Sequence, residues 1–163
     1  IFNSQVVTLA SNPVTIGTAV RNADVVIGSV LIPGATAPKL VRKEMIREMK
    51  KGSVFVDVAI DQGGCSETSH PTSHSDPIYF VDDVVHYCVS NIPAAVPHTS
   101  TYALTNATLP YLRQIARWGL KAACRRNPAL CEGVNIYQGA LVHQGVAESQ
   151  QREYSDLQAQ LTA

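Results

Sequence analysis

Through residues 6–90, short apolar runs rich in Val and Ile alternate with segments whose apolar positions fall near helical spacing. Residues 6–9, 24–31, 53–61, 78–81 and 84–90 read as strands, and residues 15–21 and 41–50 as short helices. In the second helix Met45, Ile46 and Met49, with Leu40 before them, sit between charged residues, and Lys50-Lys51-Gly52 closes it with cations and a glycine. Strands alternating with helices predict βαβ units and an α/β fold with a mostly parallel sheet. Right-handed crossovers then bring the carboxyl ends of successive strands to one edge. That edge would carry Ser11, Val30 with Leu31, Asp61, and Asn91 with Ile92.

The pattern changes at Pro93. Residues 99–107 and 110–124 read as two helices. In the second, Leu112, Ile115, Ala116 and Leu120 form an apolar stripe opposite Arg113, Gln114, Arg117 and Lys121. A strand pair is expected at residues 134–137 and 140–143, around Gln138-Gly139. The glutamine-rich tail from Ala147 reads as helical or frayed, and no chemistry is assigned to it.

With 163 residues, 45% of them hydrophobic, the chain can bury one ordinary core, or one core plus an appended helical segment. Thirteen basic and thirteen acidic side chains give zero net charge without long runs of either sign, so no nucleic-acid or membrane partner is expected. The longest apolar stretches are strand-length, and a soluble cytoplasmic protein is the default expectation. Cys65, Cys88, Cys124 and Cys131 match no disulfide or zinc spacing and read as reduced thiols. Cys65, His70 and His74 lie close in sequence, but on a polar loop spanning residues 65–77 with nothing to fix ligand geometry, so no metal site is expected.

Asp61 closes the strand-like segment 53–61 and is followed by Gln62-Gly63-Gly64. In open α/β sheets ligands collect where strands end, which makes this carboxylate a site candidate; the alternative is an acid that only caps a turn. The G-x-G-x-x-G loop of a dinucleotide site is not found in this chain. Either no dinucleotide binds, or the sequence starts after that half of the site, as Ile1 in place of a methionine suggests.

Longer motifs carry a family resemblance. ADVVIGSVLIPG (residues 23–34), APKL (37–40), VDVAIDQGGC (56–65), YCVSNIPAAVP (87–97), TSTYALTNATLP (99–110), AACRRNPAL (122–130) and GAL (139–141) occur in this order. Together they closely resemble the carboxyl-terminal half of bacterial L-alanine dehydrogenase. The resemblance implies an NAD-dependent oxidoreductase that interconverts L-alanine with pyruvate and ammonium, usually as a homohexamer in the cytoplasm. It implies a partial NAD-binding Rossmann-type domain over residues 1–97. Residues 98–163 would be a helical segment belonging to the substrate domain. Substrate-holding groups, the phosphate loop and the residue that separates NAD from its 2′-phosphorylated form would lie upstream, leaving the isolated chain inactive.

By the same resemblance Ser11 lies near the adenosine end of the cofactor and Val30 and Leu31 under it. Ala59, Ile60 and Asp61 would lie beside the nicotinamide ribose, and Asn91 with Ile92 by the carboxamide. Asp61 would be the catalytic acid. The NAD-binding subunit of proton-translocating transhydrogenase is the nearest related family; it usually lacks the acid at the Asp61 position. A noncatalytic fragment that serves only in packing or oligomerisation is the remaining alternative.

Overall fold

The computed structural model describes residues 5–162. The chain forms two compact units, one from Ile1–Leu31 and Thr36–Ile92, the other from Ile32–Ala35 and Pro93–Ala163.

In the first unit, helix α1 (Pro13–Asn22) starts with proline at its first turn. The Asn12 side chain accepts from the amides of Val14 and Thr15, while Thr15 Oγ1 accepts from the Asn12 amide, a reciprocal cap. Strand β1 (Val25–Gly28), helix α2 (Lys43–Arg47), and strands β2 (Val54–Asp57), β3 (Ile78–Val81) and β4 (Val84–Tyr87) follow. The sheet order is β1-β2-β4-β3; β1, β2 and β4 run parallel and β3 pairs antiparallel with β4. The fold is therefore α/β with a mostly parallel sheet.

Alternation along the strands sorts the two faces. Phe55 and Val84 point into a core completed by Val20 of α1, Ile46 of α2, Met49, Ala37, Val41, Ala59 and Cys65. On the other face Val25, Ile27, Ile78 and Phe80 are exposed.

Two strand expectations need correction. Residues 6–9 form no strand. β2 ends at Asp57, and Asp61 lies beyond it in the 3-10 turn Ile60–Gln62. The reason is local: the Asp57 carboxylate accepts from the Ala59 amide, which turns the chain out of the ladder.

The second unit is dominated by α3 (Pro97–Arg126), two helical segments that meet at a kink and run unbroken through residues 107–110, where the gap between two helices was expected. Pro110 stays inside it, exposed, and costs one backbone hydrogen bond. The break falls instead at Gly119, whose φ of 72° is open to glycine and strained for other residues. Beyond it Ala123 and Cys124 are buried with Leu130 and Cys131 of α4 (Pro128–Glu132). Arg126 lies 4.5 Å and Arg117 5.6 Å from the Trp118 ring centre. A hairpin joins β5 (Ile136–Tyr137) to β6 (Ala140–Leu141), with positive φ at both Gln138 and Gly139, as a tight two-residue turn requires. The tail forms α5 (Gln144–Ser149) and α6 (Leu157–Thr162), and Leu157 and Leu161 enter the core.

Candidate functional site

A set of bonded polar groups is built on the last residue of β2. The carboxylate of Asp57 is fully buried. Its Oδ1 accepts from the Ala59 amide at 3.0 Å; its Oδ2 accepts from the Cys65 amide at 2.8 Å and from Ser69 Oγ at 2.5 Å. A buried carboxylate without partners would be strongly unfavourable, and three donors meet that demand. The chain between the two amides turns through Gly63 and Gly64, with φ of 93° and 75°. A Cβ on Gly64 would stand 2.9 Å from Asp57 Oδ2, so this position needs glycine for space as well as conformation.

Neighbouring segments secure the same turn. The Val58 amide donates to Gly28 O at 2.7 Å, and the Ala37 amide to Gln62 O at 2.8 Å. Lys39 Nζ donates to Gly63 O and Gly64 O, at 2.5 and 2.9 Å. Gly28 lets β1 approach, since a Cβ there would sit 2.1 Å from Cys65 Sγ.

Asp61 is exposed on this turn. Its Oδ1 and Oδ2 both accept from the Asn91 amide, at 3.3 and 3.2 Å. Asn91 has a left-handed backbone, φ 54°, and its carbonyl lies 3.1 Å from His74 Nε2. An acid so held offers a charged acceptor to solvent or ligand while its backbone stays fixed. Ala59 and Ile60 are buried under the turn, with 6% and 5% exposure, so their side chains face the protein interior. Ile92 is half-buried beside Asn91 in the sequence.

Ser11 and Val30 line a cavity of about 370 Å³ at the β1 end of the sheet, together with Val26, Gly28, Ser29 and Cys65. Leu31 is 62% exposed. The cavity's lining is mostly apolar and includes two serines, chemistry that suits a flat ring carrying polar edges. The site candidates thus fall into two groups: Ser11 with Val30 at the cavity, and Asp61 with Asn91 at the turn.

Behind the turn lies a second buried polar set. His86 is fully buried, with Nε2 2.8 Å from Thr68 Oγ1 and Nδ1 3.1 Å from Val84 O. The carbonyl requires a proton on Nδ1, so Nε2 accepts from the threonine. Burial holds the His86 imidazole below its ordinary pKa, with the Val84 carbonyl opposing and His70 adding to the effect. Tyr79 Oη donates to Thr68 O at 2.9 Å and accepts from the His70 amide at 3.0 Å. Burial, reinforced by the charge of Asp57, pushes the Cys65 thiol up to about 12. It stays protonated and acts as a packing group.

All four cysteines are free and buried. Cys65, His70 and His74 have separate roles: packing under Gly28, stacking on Tyr79 with ring centres 3.6 Å apart, and bonding Asn91 O. Among the described residues no three His, Cys, Asp or Glu side chains group as a metal set. Nor is any described helix long and apolar enough to cross a membrane.

Asp57 and Lys39 escaped the reading of the sequence. For Asp57 a signal existed: it shares the inward parity of Phe55 along the strand, and an acid at such a position must be bonded. Lys39 gives no such signal, because its partners are backbone carbonyls twenty-four and twenty-five residues away.

Comparison with known proteins gives consistent matches. The family model for the alanine dehydrogenase/PNT C-terminal domain matches residues 1–144. Alanine dehydrogenase of Staphylococcus haemolyticus is 52% identical over 159 residues, covering 97% of this chain and 43% of that protein. The Lysinibacillus sphaericus enzyme is 55% identical over 154 residues, covering 94% and 41%. A solved L-alanine dehydrogenase structure superposes with a TM-score of 0.74 at 51% identity, covering 92% of this chain and 41% of that one. The chain spans about two-fifths of the length of the relatives it matches.

Proposed function

Because the chain belongs to the alanine dehydrogenase/PNT C-terminal domain family, we propose that it supplies part of the cofactor site and the catalytic acid of an NAD-dependent alanine dehydrogenase. The reaction is the reversible oxidation of L-alanine to pyruvate and ammonium. The observation that supports it most is Asp61, held by the Asn91 amide on a turn anchored at both ends, at the carboxyl end of a parallel strand.

The cavity lined by Ser11, Ser29 and Val30 has the size and the mostly apolar lining to take one ring-bearing half of a dinucleotide. A bound nicotinamide would supply the hydride acceptor for oxidation at Cα of alanine. This chain's residues act around that step. Ser11 lies toward the adenosine end, and Val30 and Leu31 supply apolar surface under the cofactor. Ala59 and Ile60, buried as side chains, bring backbone beside the nicotinamide ribose. Asn91 and Ile92 flank the carboxamide. Asp61 accepts a hydrogen bond from a ribose hydroxyl or from the attacking water, and its charge stabilises the iminium that develops as hydride leaves.

In this reading residues 1–97 belong to the NAD-binding domain and residues 98–163 to the substrate domain. The protein is cytoplasmic and assembles as a homohexamer, as the family resemblance implies. The transhydrogenase subunit is disfavoured by the acid at position 61 and by the alanine dehydrogenase relatives above.

The test is alanine-dependent NADH formation by the full-length natural polypeptide, with pyruvate and ammonium supporting the reverse reaction. Turnover in both directions is expected. No turnover with alanine, at saturating NAD, would remove the assignment.

A further inference from the structure

The Asp57 carboxylate makes none of the contacts proposed for the reaction, yet it holds the turn that carries Asp61. Its Oδ1 fixes the Ala59 amide just before Asp61, and its Oδ2 fixes the Cys65 amide and the Ser69 hydroxyl just after the two glycines. Between these points the turn is closed by three backbone bonds of its own, the Gln62 amide to Ala59 O at 2.9 Å, the Gly63 amide to Ile60 O at 3.0 Å and the Gly64 amide to Ala59 O at 3.0 Å, and by the Ala37 amide on Gln62 O at 2.8 Å. Glycines at 63 and 64 take the positive φ that this path requires. From this geometry we propose that Asp57 is a positioning residue for Asp61, clamping both ends of the 58–64 turn so that the Asp61 carboxylate stays on the Asn91 amide. Lys39, on the carbonyls of Gly63 and Gly64, serves the same clamp from the outside.

The inference rests on the reading of Asp61 as the catalytic acid. A carboxylate acts on developing charge only if it is held to a fraction of an ångström, and a shift of about 1 Å can cost roughly 100-fold in rate. Asp57→Asn keeps the shape of the side chain but gives one end of the clamp an N–H where an acceptor is needed. Whichever way the amide is turned, either the Ala59 or the Cys65 amide then faces another donor. One anchor is therefore lost while the fold around it is retained.

The experiment uses the full-length natural polypeptide and the variants Asp57→Asn, Ser69→Ala, Lys39→Met, Asp61→Asn and the Asp57→Asn/Asp61→Asn pair. Asp57→Asn is expected to lower kcat about 100-fold with KM for alanine within about threefold, the split that marks a lost transition-state contact. On the Asp61→Asn background the same change should cost less than about twofold, because the two residues act as one unit. Hydrogen exchange at the Asn91 amide, the donor to Asp61, should quicken at least about 10-fold in Asp57→Asn. An equal loss on both backgrounds, or a kcat within about threefold of wild type, would overturn the proposal and leave Asp57 a purely structural acid.

Should Asp57→Asn fail to fold, Ser69→Ala and Lys39→Met decide, each with an expected kcat loss of about 10-fold. Wild-type kcat in both would overturn the clamp. If the wild type does not oxidise alanine, the functional reading fails separately, and Asn91 exchange still decides whether Asp57 holds the turn.

Discussion

Residues 57–69 contain little regular structure and are held throughout, whereas residues 97–112 are helical almost throughout and nearly every side chain there is exposed. The first stretch has a fully buried carboxylate with three donors, a lysine on two carbonyls and backbone bonds to segments before and after it. The second has its own helical ladder and exposed Tyr102, Leu104, Leu109 and Leu112. Regular structure and local stability are therefore different properties. Satisfied buried polar groups hold an irregular turn in place, while a helix without a covered face relies on its own propensity.

The comparison breaks most readily at Asp57. Asp57→Ala leaves the Ala59 and Cys65 amides and the Ser69 hydroxyl without their acceptor, and should cost about 3–5 kcal/mol in chemical denaturation. Next is Gly28→Ala, whose methyl would meet Cys65 Sγ. A loss of about 1–3 kcal/mol is expected, with most of it recovered in Gly28→Ala/Cys65→Ala if that contact is the cause.

A third test uses pH. Burial holds His86 below its ordinary value of 6.5, so above that pH both folded and unfolded chains carry it neutral. Below it the unfolded chain takes up a proton that the folded chain resists, and stability falls as pH drops from 6.5 through the depressed folded value. His86→Gln should flatten that part of the stability profile, whatever it costs in absolute stability. The smallest effect belongs to the helix: Leu104→Ala and Leu109→Ala should each change stability by no more than about 0.5 kcal/mol in the isolated chain. A larger loss there would show that the exposed half of α3 is covered in solution, and would erase the contrast.

Much of the fold was legible because periodicity reports burial directly. Four of the five strand-like runs became β1, β2, β3 and β4, and the Met45-Ile46-Met49 spacing became α2 with its closing turn. Gln138-Gly139 marked the hairpin through turn chemistry. Boundaries set by side-chain bonding were not legible. Nothing in the run 53–61 says that Asp57 will catch the Ala59 amide and end the strand early. A gap was expected between residues 107 and 110, but the backbone breaks at Gly119, where a positive φ is open to glycine. At the candidate site the sequence singled out Asp61 and Asn91, and the geometry joins them through a backbone amide, a contact invisible to residue type.

The central claim is that Asp61, so held, acts on the reaction and not only on the binding of cofactor. Single-turnover oxidation of alanine by the full-length polypeptide, wild type against Asp61→Asn, tests it most directly when NADH affinity is measured on the same samples. Hydride transfer slowed by at least about 100-fold, with NADH affinity within about threefold, is the predicted result. An unchanged rate of hydride transfer would contradict the account, as would a loss confined to cofactor affinity.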